Sequence, residues 1–399
     1  MAPAPARVGN SLNQKEKLML RSSIVSASLA ALSLAAFSGT VAAGCGGSTD
    51  TGSASTSTGG LDSREPPAKP TDAGKGDGPG QTFAVSKLFL GDTDRTGSPK
   101  PDAWEQYGYN LDGKISTETS TDHCKPRAGA QLKSVKKDGS GGLDNAFGKL
   151  LMPIIGSLAS DATALINENI ADGSFTILMK LDTLGDKANY IDIPTSLYVG
   201  TNLGGPAKFD GSDKWPVVPE LLDNPADINS SKVKFANSYV ANDTWVSGSK
   251  GDLDIKLSVA GFALNLGISN AVLSMKLDAD RKGTTNGVIA GVLPVEPLVA
   301  ELKKVAGGFS KELCTGSTFE SIAESIRQAA DVLEDGSQNP SKECNAISIG
   351  LGFEAKAAQL GKVSEASPPA EDPCAEPTPA GSGPTGAGGG GQGGAGGAG

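Results

Sequence analysis

Three short segments set aspartate or asparagine beside glycine, an arrangement in which one loop can turn several oxygens toward a hard cation. LGDTDRTG carries Asp92 and Asp94, YNLDGKIS carries Asn110 and Asp112 ahead of Gly113, and KKDGSGGLDN carries Asp138, Asp144 and Asn145. Calcium takes roughly six to eight oxygen ligands from carboxylates, amides and carbonyls. Asp92, Asp94, Asn110, Asp112, Asp138 and Asp144 are therefore the candidate ligands, and calcium is the one cofactor the chain suggests. Asp-Gly pairs also make tight turns between strands and cap helices, which is the competing explanation for each loop. A second group, Trp104, Tyr107 and Tyr109 in AWEQYGYN, offers flat rings that could stack on a sugar face; the competing role is anchoring of core or loop.

Other chemistries have less support. The single histidine, His123, excludes multi-histidine metal sites and lies in a polar loop where it reads as an exposed side chain. There is no Gly-x-Ser-x-Gly elbow and no phosphate loop ending in Gly-Lys-Ser/Thr, and GTNLGG and GVIAGV lack the strand-to-helix setting of a nucleotide fingerprint. Paired carboxylates could act as acid and base without histidine, so a carboxylate-dependent hydrolase of envelope or extracellular polymers is the rival to a binding role. YNLDGKIS is similar to part of an EF-hand loop, with Asn110, Asp112, Gly113 and Ile115 at the third, fifth, sixth and eighth places. Gly108 stands at the first place and Thr119 at the last, where a bidentate Glu is needed.

The net charge of −10, from 35 Lys and Arg against 45 Asp and Glu, gives no general attraction for phosphate backbones, and no nucleic-acid partner is expected. The basic cluster Lys133, Lys136 and Lys137 reads as a solvated face. At the N-terminus, Lys15, Lys17 and Arg21 precede a stretch from Ser22 to Thr49 without charge, the layout of a secretory signal. Met19 is an alternative start. A membrane-spanning anchor is a second alternative, although Ser, Ala, Gly and Thr make the run weakly apolar.

The five cysteines are Cys45, Cys124, Cys314, Cys344 and Cys374. An odd number in an exported chain leaves one thiol over, whereas removing Cys45 leaves four that can pair. Four cysteines allow three connectivities. The spacing favours Cys314–Cys344 as a staple across one helix and Cys124–Cys374 as a clasp between the ends of the domain. A zinc site would need close cysteine pairs, and no Cys-x-x-Cys occurs.

The elements that must position these residues are mainly strands. Apolar residues alternate at Leu253, Ile255, Leu257 and Val259, then at Phe262, Leu264, Leu266 and Ile268, and again from Val272 to Leu277. These predict three closely spaced antiparallel strands divided by Ala-Gly and Ser-Asn breaks. Similar patterns recur near 175–184, 190–199, 232–240 and 347–353. Three helices are expected: about 144–169, kinked or split by Pro153; 297–306, ended by Gly307; and 317–334, opened by a capping box of Ser317 and Glu320. The fold class is thus mainly β, an antiparallel β-sandwich with about three inserted helices, with an α+β layer as the alternative. Residues 1–44 read as signal, 45–80 as a flexible linker, 81–375 as one disulfide-bonded domain, and 376–399 as a Gly-rich disordered tail.

The end of the apolar run, Ala42-Ala43-Gly44-Cys45, resembles the lipobox of bacterial lipoproteins, in which the cysteine thiol is acylated and becomes the new N-terminus. Ala42 stands where that family usually has Leu, and ordinary cleavage after Ala43 is the alternative. GCGGS, the Gly-rich end and the phrases LFLGDTD, YGYNLDGKIS, GLDNAFGKLLMPII and NGVIAGVLPVE resemble lipoprotein families of myxobacteria. The resemblance implies export and lipidation at Cys45, with Gly46 favouring the outer membrane, and it implies no particular activity. A membrane partner through that lipid, and a carbohydrate or protein ligand for the domain, are the expected partners.

Overall fold

The computed structural model describes residues 64–158, 162–259, 262–366 and 373–374. Residues 1–63, with Cys45, and the tail 375–399 lie outside the described residues. The protein is mainly β with inserted helices, as the alternation predicts. The strands are β1 (Gln81–Phe89), β2 (Phe175–Leu181), β3 (Thr195–Thr201), β4 (Lys214–Val217), β5 (Val233–Phe235), β6 (Tyr239–Ala241), β7 (Thr244–Val246), β8 (Gly251–Val259), β9 (Phe262–Leu277), β10 (Gly283–Pro294) and β11 (Ala346–Val363). They pair into one mixed eleven-stranded sheet in which β4 and β11 are the one parallel pair of named strands.

Strand β11 organises the sheet. It pairs antiparallel with β1 from Gly352 to Ala358 and with β10 from Ala346 to Lys356, then parallel with β4 from Gln359 to Val363. Because β1 also pairs β2, β2 pairs β3 and β3 pairs β4, the pairings return to β11 and close a five-stranded ring. Ala84, Leu178 and Tyr198 are cross-strand neighbours inside that ring, with Trp215, Val217 and Ala358. Their sequence neighbours Phe83, Val85, Ile177, Met179, Leu197 and Val199 point the other way into the main core. Burial on both faces explains why FTILMKL reads as an almost unbroken apolar run.

The long strand β9 merges two of the three strands expected between 253 and 277. The Ser269-Asn270 break is a bulge, with Asn270 at φ 54°, and the register shifts there against both β8 and β10. Through it β9 passes from β8 to β10 and β7 without leaving the sheet.

Among the described residues five helices are inserted: α1 (Leu132–Lys136), α2 (Met152–Leu158), α3 (Ala162–Ala171), α4 (Val295–Phe309) and α5 (Ser317–Arg327). The expected 144–169 helix is split into α2, entered through a π-helical turn at Phe147–Leu151, and α3. The expected capping box does not form: Gly316 is the N-cap and no side chain caps α5. Glu320 instead pairs with Arg327 at 2.8 Å, and Arg327 also holds Glu296 of α4 at 2.7 Å, clasping the two helices. Helix α5 stops at Arg327 rather than near 334 because the chain beyond it turns back to pair Val332 with Ala346. Residues 64–80, read as the end of the linker, are tied to the body, with Lys75 bridged to Ile191 and the Tyr239 hydroxyl donating to the Pro67 carbonyl at 2.6 Å.

The disulfide scheme is corrected. Cys124 pairs with Cys344 and Cys314 with Cys374, each with Cα atoms 5.1 Å apart. The turn back to β11 carries Cys344 away from Cys314, and the bridge between Lys125 and Glu343 sets it beside Cys124. Gly307, expected to end α4, lies inside it. A Cβ there would come within 2.2 Å of the Cys374 sulfur and 2.5 Å of the Cys314 sulfur, so the bare Cα makes room for the bridge.

Non-reducing peptide mapping is expected to recover Cys124–Cys344 and Cys314–Cys374 as the linked pairs. Gly307→Val should leave free thiol at Cys314 and Cys374 and lower Tm, while Cys124–Cys344 still forms.

Candidate functional site

The first of the three Asp loops stands apart from the other two. Asp92 accepts a hydrogen bond from the Thr163 hydroxyl of α3. Asp94 accepts from Thr96 N–H at 2.9 Å, the Thr96 hydroxyl at 2.6 Å and Ser98 N–H at 3.1 Å, and its other oxygen meets the Lys100 ammonium at 2.7 Å. Lys100 holds that carboxyl well below the usual range, and these contacts make Asp94 the organiser of a turn.

The other two loops converge over the start of β11. Asn110 accepts from Gly113 N–H at 2.8 Å, and Asp112 from Lys114 N–H at 2.8 Å. Asp144 receives the N–H groups of Leu111 at 2.7 Å and Asp112 at 3.3 Å, and Asp138 receives that of Ser116. The fourth member is Asp331, which follows α5. Its carboxylate takes Ser348 N–H at 2.8 Å and the Ser348 hydroxyl at 2.6 Å, and the same hydroxyl accepts from Ala146 N–H at 2.8 Å. Asn145 ties the loops to the sheet: its amide donates to the carbonyls of Trp104, Tyr107 and Gly350 and accepts from Gly148 and Gly350 N–H, all between 2.9 and 3.1 Å. At Gly350 any Cβ would lie 2.3 Å from the Tyr107 carbonyl oxygen, so this close approach needs glycine.

Asp331 was missed because a helical reading of 317–334 makes one charged residue unremarkable. Its position between Ala329-Ala330 and Val332-Leu333, all buried, was the available signal.

Burial dominates the electrostatics. It pushes Asp138 and Asp331 up to about 7, with the charge of Asp112 adding to the effect, and it raises Asp144 well above the carboxylate range. Lys149 is the facing cation. Its ammonium donates to the carbonyls of Ser134, at 2.6 Å, and Lys137, and lies 5.3 Å from the centre of the Trp104 ring. Burial lowers the Lys149 pKa, and Asp331 and Asp138 oppose that shift. Asp112 Oδ2 and His123 Nε2 are buried without a hydrogen-bond partner among the described residues. His123, expected in solvent, is 5 % exposed.

Burial thus biases Asp138, Asp144 and Asp331 toward their protonated form. The space that Asp138, Asp144, Asp331 and Lys149 share is about that of one water molecule. Among the described residues, no three His, Cys, Asp or Glu side chains are placed to hold a metal ion.

Of the expected aromatic group, Trp104 and Tyr107 are buried and Tyr109 is half-buried. Tyr107 is fully buried, stacks on Phe89 with centroids 5.7 Å apart, donates to the Thr93 carbonyl at 2.8 Å and lies under the Arg95 guanidinium. The Trp104 ring lies under Lys149, and Tyr109 is hydrogen-bonded through its hydroxyl to Ser274. Trp215 fills the five-stranded ring and Trp245 donates to the Ser238 hydroxyl at 3.0 Å. A groove of about 470 Å³ lies elsewhere, where β1 and β11 part beyond Thr82 and Ala358, with Gln81, Lys180, Asp182, Asn229 and Gln359 along it.

No family model, curated protein or solved structure matches the chain.

Raised carboxyl pKa values set the sign of the pH dependence. Protonated Asp138 and Asp331 are tolerated in the fold, so their contribution is complete below about pH 4 and is lost as pH rises through about 7. Stability in urea is expected to be lower at pH 8 than at pH 5, and Asp331→Asn should reduce that difference. Calcium added after chelation is expected to leave Tm unchanged at pH 7; a rise of several degrees would mean that a cation binds among these acids.

Proposed function

We propose that the protein is an exported, lipid-anchored envelope protein, held through an acylated Cys45, whose disulfide-bonded β domain serves binding or surface interaction. The observation that carries this reading is the covalent bookkeeping of sulfur. Of the five cysteines, four are joined as Cys124–Cys344 and Cys314–Cys374, and Cys45 is the one left for another role. Disulfides of this kind persist in oxidising compartments, which agrees with the signal-like N-terminus. The lipobox-like sequence before Cys45 supplies the chemistry for that cysteine, and Gly46 favours the outer membrane.

The placement of the acids supports binding over hydrolysis. A carboxylate hydrolase needs its acid and base on either side of a scissile bond, roughly 5 Å or more apart in glycosidases, with room for substrate between them. Asp138, Asp144 and Asp331 enclose no such room and are used by backbone N–H groups and by Ser348. A carbohydrate or protein ligand is assigned to the outer surface rather than to Trp104, Tyr107 and Tyr109, whose rings are held within the fold.

In cells fed a labelled fatty acid, the wild-type chain is expected to take up label and to sediment with membranes. Cys45→Ser should take up none and appear in the soluble envelope fraction with both disulfides intact. A Cys45→Ser chain that stays in the membrane with its signal uncleaved would sink the lipid-anchor reading.

A further inference from the structure

Residues 110–138 form a lobe within the long connection between β1 and β2, and its two ends are held together by hydrogen bonds between Ser116 and Asp138. Six Lys and Arg against four Asp and Glu fall in this stretch of a chain whose balance is 35 against 45. Among the described residues, the two exposed large hydrophobic side chains are Ile115, 69 % exposed, and Leu132, 54 % exposed, and both belong to this lobe. Lys125, Lys133 and Lys137 of the same lobe are exposed as well. Lys133 has only a loose contact of 3.6 Å with Glu118, and no ion pair involves Lys125 or Lys137 among the described residues.

The lobe is stiff. Ser116 and Asp138 exchange two hydrogen bonds, Lys136 donates to the Ser120 carbonyl at 3.0 Å, and Cys124–Cys344 bolts the far side to the body. The backbone that carries its exposed side chains is thus held in place, so less ordering remains to be done on contact.

Arg64 is bonded to the base of this lobe. Asn110 N–H donates to the Arg64 carbonyl at 2.9 Å, and Arg64 Nε donates to the Ser140 carbonyl at 3.1 Å, so Arg64 joins the lobe's two ends. Arg64 stands nineteen positions after Cys45, a contour of at most about 65 Å. That contour allows the lobe to reach a surface that holds Cys45.

We propose that the 110–138 lobe is a membrane-contacting surface, in which Ile115 and Leu132 enter the headgroup layer and Lys125, Lys133 and Lys137 meet anionic lipid headgroups. The proposal rests on the lipid-anchor reading for its context, but it can be tested without the anchor. Charge complementarity selects the occupant. Elsewhere the excess of carboxylates repels an anionic surface, whereas each lysine near such a surface favours contact by about fivefold.

The test uses the full mature chain with Cys45→Ser, so that no acyl chain contributes, sedimented with vesicles of phosphatidylcholine with or without about 30 % phosphatidylglycerol. The expected result is association with the anionic vesicles only, lost at high salt. It should fall several-fold in Ile115→Ser/Leu132→Ser and again in Lys133→Glu/Lys137→Glu, with Tm and both disulfides unchanged. These four side chains are exposed, so the variants are expected to fold. Absence of association, or association that the variants do not alter, overturns the proposal. So does a concentration-dependent dimer that the apolar variants abolish, which would assign the lobe to a second copy of the chain. Fatty-acid labelling of Cys45 reads the anchor separately, so either reading can fail alone.

Discussion

β11 is paired with strands on both of its edges across its middle, and the rest of the molecule is arranged around that double pairing. One edge holds β1 and the other holds first β10 and then β4. A strand bonded on both sides contributes its whole ladder to the fold and presents little edge to other chains. Closure of β1, β2, β3, β4 and β11 into a ring also creates a second interior, with Trp215 and small residues such as Ala84 and Ala358 within it. The main core then forms on the other face of the same strands, beneath α3, α4 and α5.

The buried acids follow from the beginning of the same strand. Ser348 and Gly350 lie where β11 has β10 on one edge and loop residues on the other, and they receive Asp331 and Asn145. Each buried carboxyl exchanges hydration for hydrogen bonds from N–H or hydroxyl groups. With Lys149 the facing cation and already committed to the Ser134 and Lys137 carbonyls, burial and mutual repulsion favour protonation of Asp138, Asp144 and Asp331. The arrangement holds two loops and the chain after α5 against one strand end, at the expense of sensitivity to pH.

The loops above β11 also join the structural role to the proposed surface. Asp138 closes the base of the 110–138 lobe through Ser116, and Asp144 holds Leu111 and Asp112 at its start. Cys124 is bonded to Cys344, and its backbone N–H donates to Gln338, whose amide in turn donates to the Asp331 carbonyl. The lobe that bears Ile115 and Leu132 is therefore tied to the buried acids through several hydrogen bonds and a disulfide.

The sequence by itself determined the strand-rich class, because alternation such as that from Leu253 to Val259 reports a half-buried pleated surface whatever the topology. It also determined the helical character of α4 and α5, and it singled out Asp112, Asp138 and Asp144 as members of special loops. Only the tertiary structure decided which residues share a site. Asp331 joins that group from nearly two hundred positions away, while Asp92 and Asp94 do not, because β11 sets which loop ends meet. Disulfide partners were hidden for the same reason, since the turn after α5 makes Cys344 a neighbour of Cys124 rather than of Cys314. Local patterns record which face of an element is buried, and the partner across that face depends on how the chain returns.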